Sequence, residues 1–177
     1  SIARSVDLFL GIPSTVALPL AYRASGTLPK NLRDADPARD GCGLIWFTPL
    51  IPMKENIVKE YTAIVRKVCT QYTIEPLITF STLNERCFDS SVPILFDRND
   101  PEATKRAYDC YDALWKEIAP LKLLPYRIPT DEMWRLNTNN IQFFEIVRKI
   151  KKALDPRGII APGRYSGDAK RAHKKTK

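Results

Sequence analysis

Histidine is nearly missing from this 177-residue sequence: the single one, His173, lies four residues from the end. That excludes Ser-His-Asp and Cys-His nucleophile sets, and histidine-based metal sites, from the body of the chain. The four cysteines, Cys42, Cys69, Cys87 and Cys110, are too far apart in sequence for a zinc clip. Free thiols in a reducing compartment are the expected state, and the even count leaves disulfides open. The seven glycines never form GxGxxG or a Walker-type run, so no phosphate-cradling loop is expected. No apolar stretch approaches the roughly 20 residues of a membrane-spanning helix. The start, Ser1-Ile2-Ala3-Arg4, has no signal-peptide core and no initiating Met, and reads as processed or excised.

What is present points to a folded domain, or one domain with an appendage. Apolar residues make up 44% of the chain, enough for a real core at this length. The net charge of +8 invites a nucleic-acid partner, but five bases and only one acid fall in residues 166–177, which places half of the excess on a tail. Elsewhere acids and bases alternate along helix faces as on a solvated surface. With no RNA-recognition strand motif and no helix-turn-helix signature, no nucleic-acid partner is expected.

Residues 1–40, punctuated by Pro13, Pro19, Pro29 and Pro37, read as an irregular connecting segment. Leu44 to Ile51 is an apolar and aromatic run ending at Pro52, and reads as a buried strand apolar on both faces. Ile57, Tyr61, Ile64, Val65 and Val68 repeat at helical spacing within Glu55 to Tyr72. Two β-rich stretches follow, Glu75 to Leu83 and Val92 to Phe96, joined by a polar connection. Asp100-Pro101-Glu102 starts a second helix, with Asp100 as cap, and Pro120 closes it. Leu123 to Ile128 completes the order as a fourth strand.

The fold class expected is therefore α+β: a ferredoxin-like β-α-β-β-α-β antiparallel sheet with both helices on one face, spanning residues 41–128. A C-terminal helix from Asn140 to Leu154 and a loop fill residues 129–165, and 166–177 is a basic tail.

Two strings stand out chemically. Leu124-Pro125-Tyr126-Arg127-Ile128 puts a phenol hydroxyl beside a guanidinium, a neutral donor and a fixed cation suited to one anionic oxygen. On residues alone, a half-buried edge-strand Tyr and an Arg paired to a surface acid is the more ordinary reading. Ala153-Leu154-Asp155-Pro156-Arg157-Gly158-Ile159-Ile160-Ala161-Pro162-Gly163-Arg164 is a polar turn, an apolar run and a Pro-Gly-basic ending. A plain turn with a surface base would account for that ending too.

In their order and spacing the two strings resemble the C-terminal part of the vanillyl-alcohol oxidase and p-cresol methylhydroxylase flavoproteins, from about Leu10 to Gly167 and most strongly from Gly43 onward. The resemblance implies the substrate-cap portion of an FAD-dependent oxidoreductase acting on 4-alkylphenols or 4-hydroxybenzyl alcohols by hydride transfer to flavin. It implies that Tyr126 and Arg127 bind the phenolic oxygen as catalytic residues, that Thr79 faces the benzylic carbon, and that Arg164 lies on the flavin's anionic side. Tyr126 and Arg127 are then expected in a pocket at the end of the fourth strand.

Leu44 stands where some members attach FAD through histidine, so non-covalent FAD is expected. The family's histidine between the middle strands is missing from Asn84-Glu85-Arg86-Cys87-Phe88-Asp89-Ser90, where Asp89 is the remaining candidate base or an ordinary loop carboxylate. The family's FAD-binding domain has no counterpart here, so the chain alone is expected to be inactive. Its implied partners are a small phenolic substrate and that missing domain, in the cytoplasm or a peroxisome, with homo-oligomerisation open. The alternatives are a non-enzymatic ferredoxin-like binding module and a relic without chemistry.

Overall fold

The computed structural model describes residue 6 and residues 10–24, 27–138 and 141–165; the basic tail, 166–177, lies outside them. The chain divides into two compact units, residues 1–126 and 127–177.

The first unit opens with a short helix α1 (Leu18–Ala21) and a 3-10 turn at Leu32–Asp34. This segment leans on the sheet: α1 contacts the first strand, and the buried Tyr22 hydroxyl donates to Asp40 at 2.5 Å. The Arg39 and Tyr22 donors hold the Asp40 carboxyl down at about 2, and burial with the nearby carboxylate raises Tyr22 to about 12. Then come β1 (Cys42–Phe47), β2 (Leu50–Pro52), α2 (Glu55–Gln71), β3 (Thr79–Asn84), β4 (Cys87–Asp97) and α3 (Pro101–Glu117). Asp100 caps α3 by accepting from the Glu102 amide at 2.9 Å.

β4 is the central strand of an antiparallel sheet. β1 pairs with it from Cys42↔Asp97 to Phe47↔Val92, and β2 from Leu50↔Asp89 to Pro52↔Cys87, in one uninterrupted register along one edge. β1 and β2 are thus a single strand broken at Thr48 and Pro49. β3 runs along the opposite edge, from Thr79↔Ser91 to Asn84↔Cys87.

The expected fourth strand, Leu123 to Ile128, shrinks to one bridge, Pro49↔Pro125. It is held by Leu50 N–H to the Leu124 carbonyl and Tyr126 N–H to the Thr48 carbonyl, both 2.7 Å. Two prolines can face each other there because the flanking residues carry both ladder bonds, so neither missing N–H is called on. The chain bends at Tyr126 and Arg127 directly afterwards. With this bridge counted, the lateral order is bridge, β1/β2, β4, β3, the layout of a split βαβ sheet.

Side-chain alternation sorts the sheet's faces. Phe47, Ile51, Val92, Ile94 and Phe96 form one core with Tyr61, Val65 and Val68 of α2 and Ala107, Tyr111 and Leu114 of α3. The two helices also touch each other, so both lie on that face. Phe96 covers Gly43, where a Cβ would meet its ring at 2.5 Å. The opposite face departs from the reading of strands buried on both sides: Leu44 is 37% and Trp46 46% exposed. β4 also begins earlier than expected, because Ser90 finds a buried partner in Tyr61, their oxygens 2.8 Å apart. The expected polar connection thus becomes a tight turn at Glu85–Arg86 followed by strand.

In the second unit a 3-10 segment (Thr130–Thr138) precedes helix α4 (Ile141–Leu154). Ile128, Met133 and Phe144 are buried. Among the described residues no helix is long and apolar enough to cross a membrane.

Tyr61 and Ser90 satisfy each other inside the core, so we expect Tyr61→Phe to cost about 1–2 kcal/mol by stranding the serine hydroxyl. Adding Ser90→Ala should cost less than the two single changes summed. Urea unfolding of the four proteins measures this; strictly additive costs would show that the two groups do not act as a unit.

Candidate functional site

The face of the sheet away from the helices gathers polar groups in one row. The register places Thr48 opposite Ser91, and Ser91 opposite Thr79. On the other edge, the Tyr126 amide bonds to Thr48. Tyr126 and Thr79, far apart in sequence, therefore stand at the two ends of one line across the sheet. Three strand spacings, roughly 14 Å, separate their backbones. Tyr126 is 41% exposed and Thr79 is also exposed.

Two further side chains share this face. Trp46 lies two residues from Thr48, and Asp89 lies between Leu50 and Ser81 in the neighbouring row. Asp89 is half-buried in β4 rather than in a loop, which removes the loop-carboxylate reading. Trp46 was missed as a site residue because a dense apolar run gives no sign of which face stays open. The strict alternation, with Phe47 and Ile51 on the other parity, is the signal that could have found it.

Arg127 and Arg164 belong to the second unit, and both are exposed. The turn carrying Arg164 is built in detail. The Asp155 carboxylate accepts from the Ile159 amide at 3.0 Å and the Ile160 amide at 2.9 Å, and pairs with Lys151 one helical turn earlier. Lys151 also donates to the Ile160 carbonyl. The lysine, followed by the two amides, holds Asp155 down at about 2. Gly158 (φ +65°) and Gly163 (φ +75°) supply the left-handed positions, and the Arg164 amide closes the last turn on the Ala161 carbonyl at 3.1 Å. A Cβ at Gly163 would lie 4.0 Å from the Thr130 methyl. The C-terminal turn is thereby brought beside the segment that follows Arg127. Among the described residues no cluster of His, Cys, Asp or Glu could hold a metal.

The chain has recognisable relatives among known proteins. Residues 130–165 match the family described as FAD linked oxidases, C-terminal domain. The chain is 34% identical over 156 residues to the 1'-carboxy-chondrochloren decarboxylase of Chondromyces crocatus, covering 88% of this chain and 28% of that protein. It is 30% identical over 135 residues to the flavoprotein subunit of the hydroxylating 4-cresol dehydrogenase of Pseudomonas putida, covering 73% and 25%. The structure of p-cresol methylhydroxylase with substrate bound superposes with a TM-score of 0.65 at 28% identity, over 70% of this chain and 24% of that one. The 4-ethylphenol oxidase of Gulosibacter chungangensis in its isoeugenol complex shares the fold, with a TM-score of 0.63 at 22% identity over 71% and 24%. The chain spans about a quarter of the length of these relatives.

Asp155 makes the C-terminal turn acid-sensitive. Its folded value lies below the ordinary carboxyl value of 3.8, so its contribution is present above about pH 4 and lost as pH falls towards 2. We expect the Ile159 and Ile160 amides to lose hydrogen-exchange protection over that window. Asp155→Asn should show weak protection at every pH. Equal protection in the variant at neutral pH would show that the carboxylate does not hold the turn.

Proposed function

As a homologue of the p-cresol methylhydroxylase flavoproteins, carrying the C-terminal domain of the FAD-linked oxidases, this chain is, we propose, the substrate-facing part of an FAD-dependent oxidoreductase that oxidises 4-alkylphenols. The observation that carries this reading is the placement of Tyr126 and Thr79 on one row of the helix-free face. Their backbones, roughly 14 Å apart, span the length of an aromatic ring and its 4-substituent.

The chain's residues fit one part of FAD. Arg164, on a turn pinned by Asp155 and the glycines, suits the anionic edge of a reduced isoalloxazine ring. For the pyrophosphate the described residues offer no glycine-rich loop opening a helix, so that moiety would be held by other parts of the flavoprotein. Leu44 in place of a histidine favours non-covalent attachment. When bound, FAD supplies a hydride acceptor.

The rest is work for the chain's own groups. Tyr126 donates a hydrogen bond to the phenolic oxygen, and Arg127 places a permanent cation beside it, favouring the phenolate. Electron density pushed from the phenolate lets the benzylic carbon release hydride and leaves a quinone methide. Water adds at that carbon, and its proton passes to a base; Asp89, on the same face, is the candidate.

A second reading comes from the decarboxylase relative, which matches at higher identity and over more of the chain. In that case a carboxylate one carbon beyond the benzylic position leaves the quinone methide as CO₂ and gives an alkene. The same Tyr126–Arg127 pair would serve both outcomes.

In the holo flavoprotein containing this chain, we expect Arg127→Ala to lower kcat/KM for a 4-alkylphenol by about 100-fold, the equivalent of one charge-assisted hydrogen bond of roughly 3 kcal/mol. Flavin content should not change. Without the cation the bound phenol ionises at higher pH, so the kcat profile should move to the basic side. Comparing a 4-alkylphenol with its carboxylated counterpart, and trapping released CO₂, separates the two readings. Unaltered kinetics in Arg127→Ala would remove the basis of both.

A further inference from the structure

The helix of the second unit turns its most apolar stripe outward. Phe143, Ile146, Ile150 and Leu154 recur at i, i+3, i+7 and i+11 along α4, so they share one face over roughly 16 Å of helix. All four are between 55% and 79% exposed. The stripe that α4 turns inward is the less apolar one: Phe144 is buried there, beside half-buried Val147, Arg148 and Lys151. The outward stripe has a continuation beyond the helix. Ile159 and Ile160, on the turn whose amides Asp155 pins, are exposed too, and Arg164 follows four residues later. Six large apolar side chains left in water on one helix and the turn after it mark a contact surface, not scattered surface residues.

We propose that this stripe, with Ile159 and Ile160, is the docking surface for the flavin-carrying remainder of the flavoprotein, an inference that rests on the FAD-dependent reading of the chain. Two observations select that occupant. The chain spans about a quarter of the length of its relatives, and its described residues offer no loop for the FAD pyrophosphate, so the part that holds this group belongs to the remaining length. The apolar stretch also leads into Arg164, the residue suited to the flavin's anionic edge. A second copy of this chain seated on the isoleucines would bring another polypeptide to Arg164 in place of the ring. A lipid surface is a poorer match. Interfacial helices flank their apolar face with free Lys or Arg, whereas Lys151 of α4 is occupied with Asp155 and the Ile160 carbonyl.

The double change Ile146→Gln/Ile150→Gln tests this in two settings, the 177-residue chain alone and the holo flavoprotein containing it. Both positions are exposed, so the chain alone should keep its unfolding midpoint within about 2 °C. In the holo flavoprotein we expect FAD to dissociate roughly tenfold faster or more. Lys149→Gln/Lys152→Gln, on the polar side of α4, should change neither. A midpoint lowered well beyond that range in the chain alone would show that the stripe packs within this chain. Unaltered FAD release would show that it docks no flavin-carrying part. Loss of self-association, or of binding to phosphatidylserine vesicles, with FAD release unaltered would assign the stripe to a second copy or to a membrane. Each of these overturns the proposal. Faster FAD release in the variant of a flavoprotein that oxidises no 4-alkylphenol would support the docking surface and remove the phenol reading alone.

Discussion

Everything in the first unit is positioned by the double pairing of β4. It is bonded on both long edges, to β1/β2 on one side and β3 on the other. Because side chains alternate with a period of two, its register decides at once which residues meet the helices and which face away. A slip by one residue would expel Val92, Ile94 and Phe96 from the core and bury Asp89 and Ser91 against α2 and α3. The apolar cost of that exchange keeps Thr79, Ser91 and Thr48 in one line. The polar row is a consequence of core packing rather than an independent feature.

The two helices cover only one face, so stability and chemistry are divided between the two sides of one sheet. On the covered side Tyr61 and Ser90 pair with each other, while the buried Trp115 Nε1 has no hydrogen-bond partner. There burial pushes the Tyr61 phenol above its ordinary range, which suits a structural hydroxyl rather than one that exchanges protons. The open side keeps Trp46, Tyr126 and Thr79 accessible. Its aromatic and hydroxyl groups are what an aromatic ligand with polar ends would meet.

Much of this was legible in advance, for identifiable reasons. α2, α3 and α4 were readable because their apolar residues recur at helical spacing and because Asp100-Pro101 marks a start. The strand at Leu44 to Ile51 was readable as a strand, but not its open face: an unbroken apolar run carries no parity signal. Cys87 to Ser91 was misread as a connection because polar residues mid-strand are tolerated only where a partner exists, and Tyr61 is 29 residues away. Leu123 to Ile128 looked like a strand by composition. Pro125 and Pro129 bracket the stretch and limit how far it can join a ladder.

That shortening bears directly on the Tyr126–Arg127 pair. In a regular strand successive side chains point to opposite faces, and a tyrosine and an arginine side by side in sequence could not both reach one oxygen. Here the ladder stops at Pro125, with the Tyr126 amide as its last donor, and the backbone bends through Tyr126 and Arg127. The bend lifts the alternation rule at this dipeptide. Arg127 also begins the second compact unit, the unit that carries Arg164 and its Asp155-pinned turn.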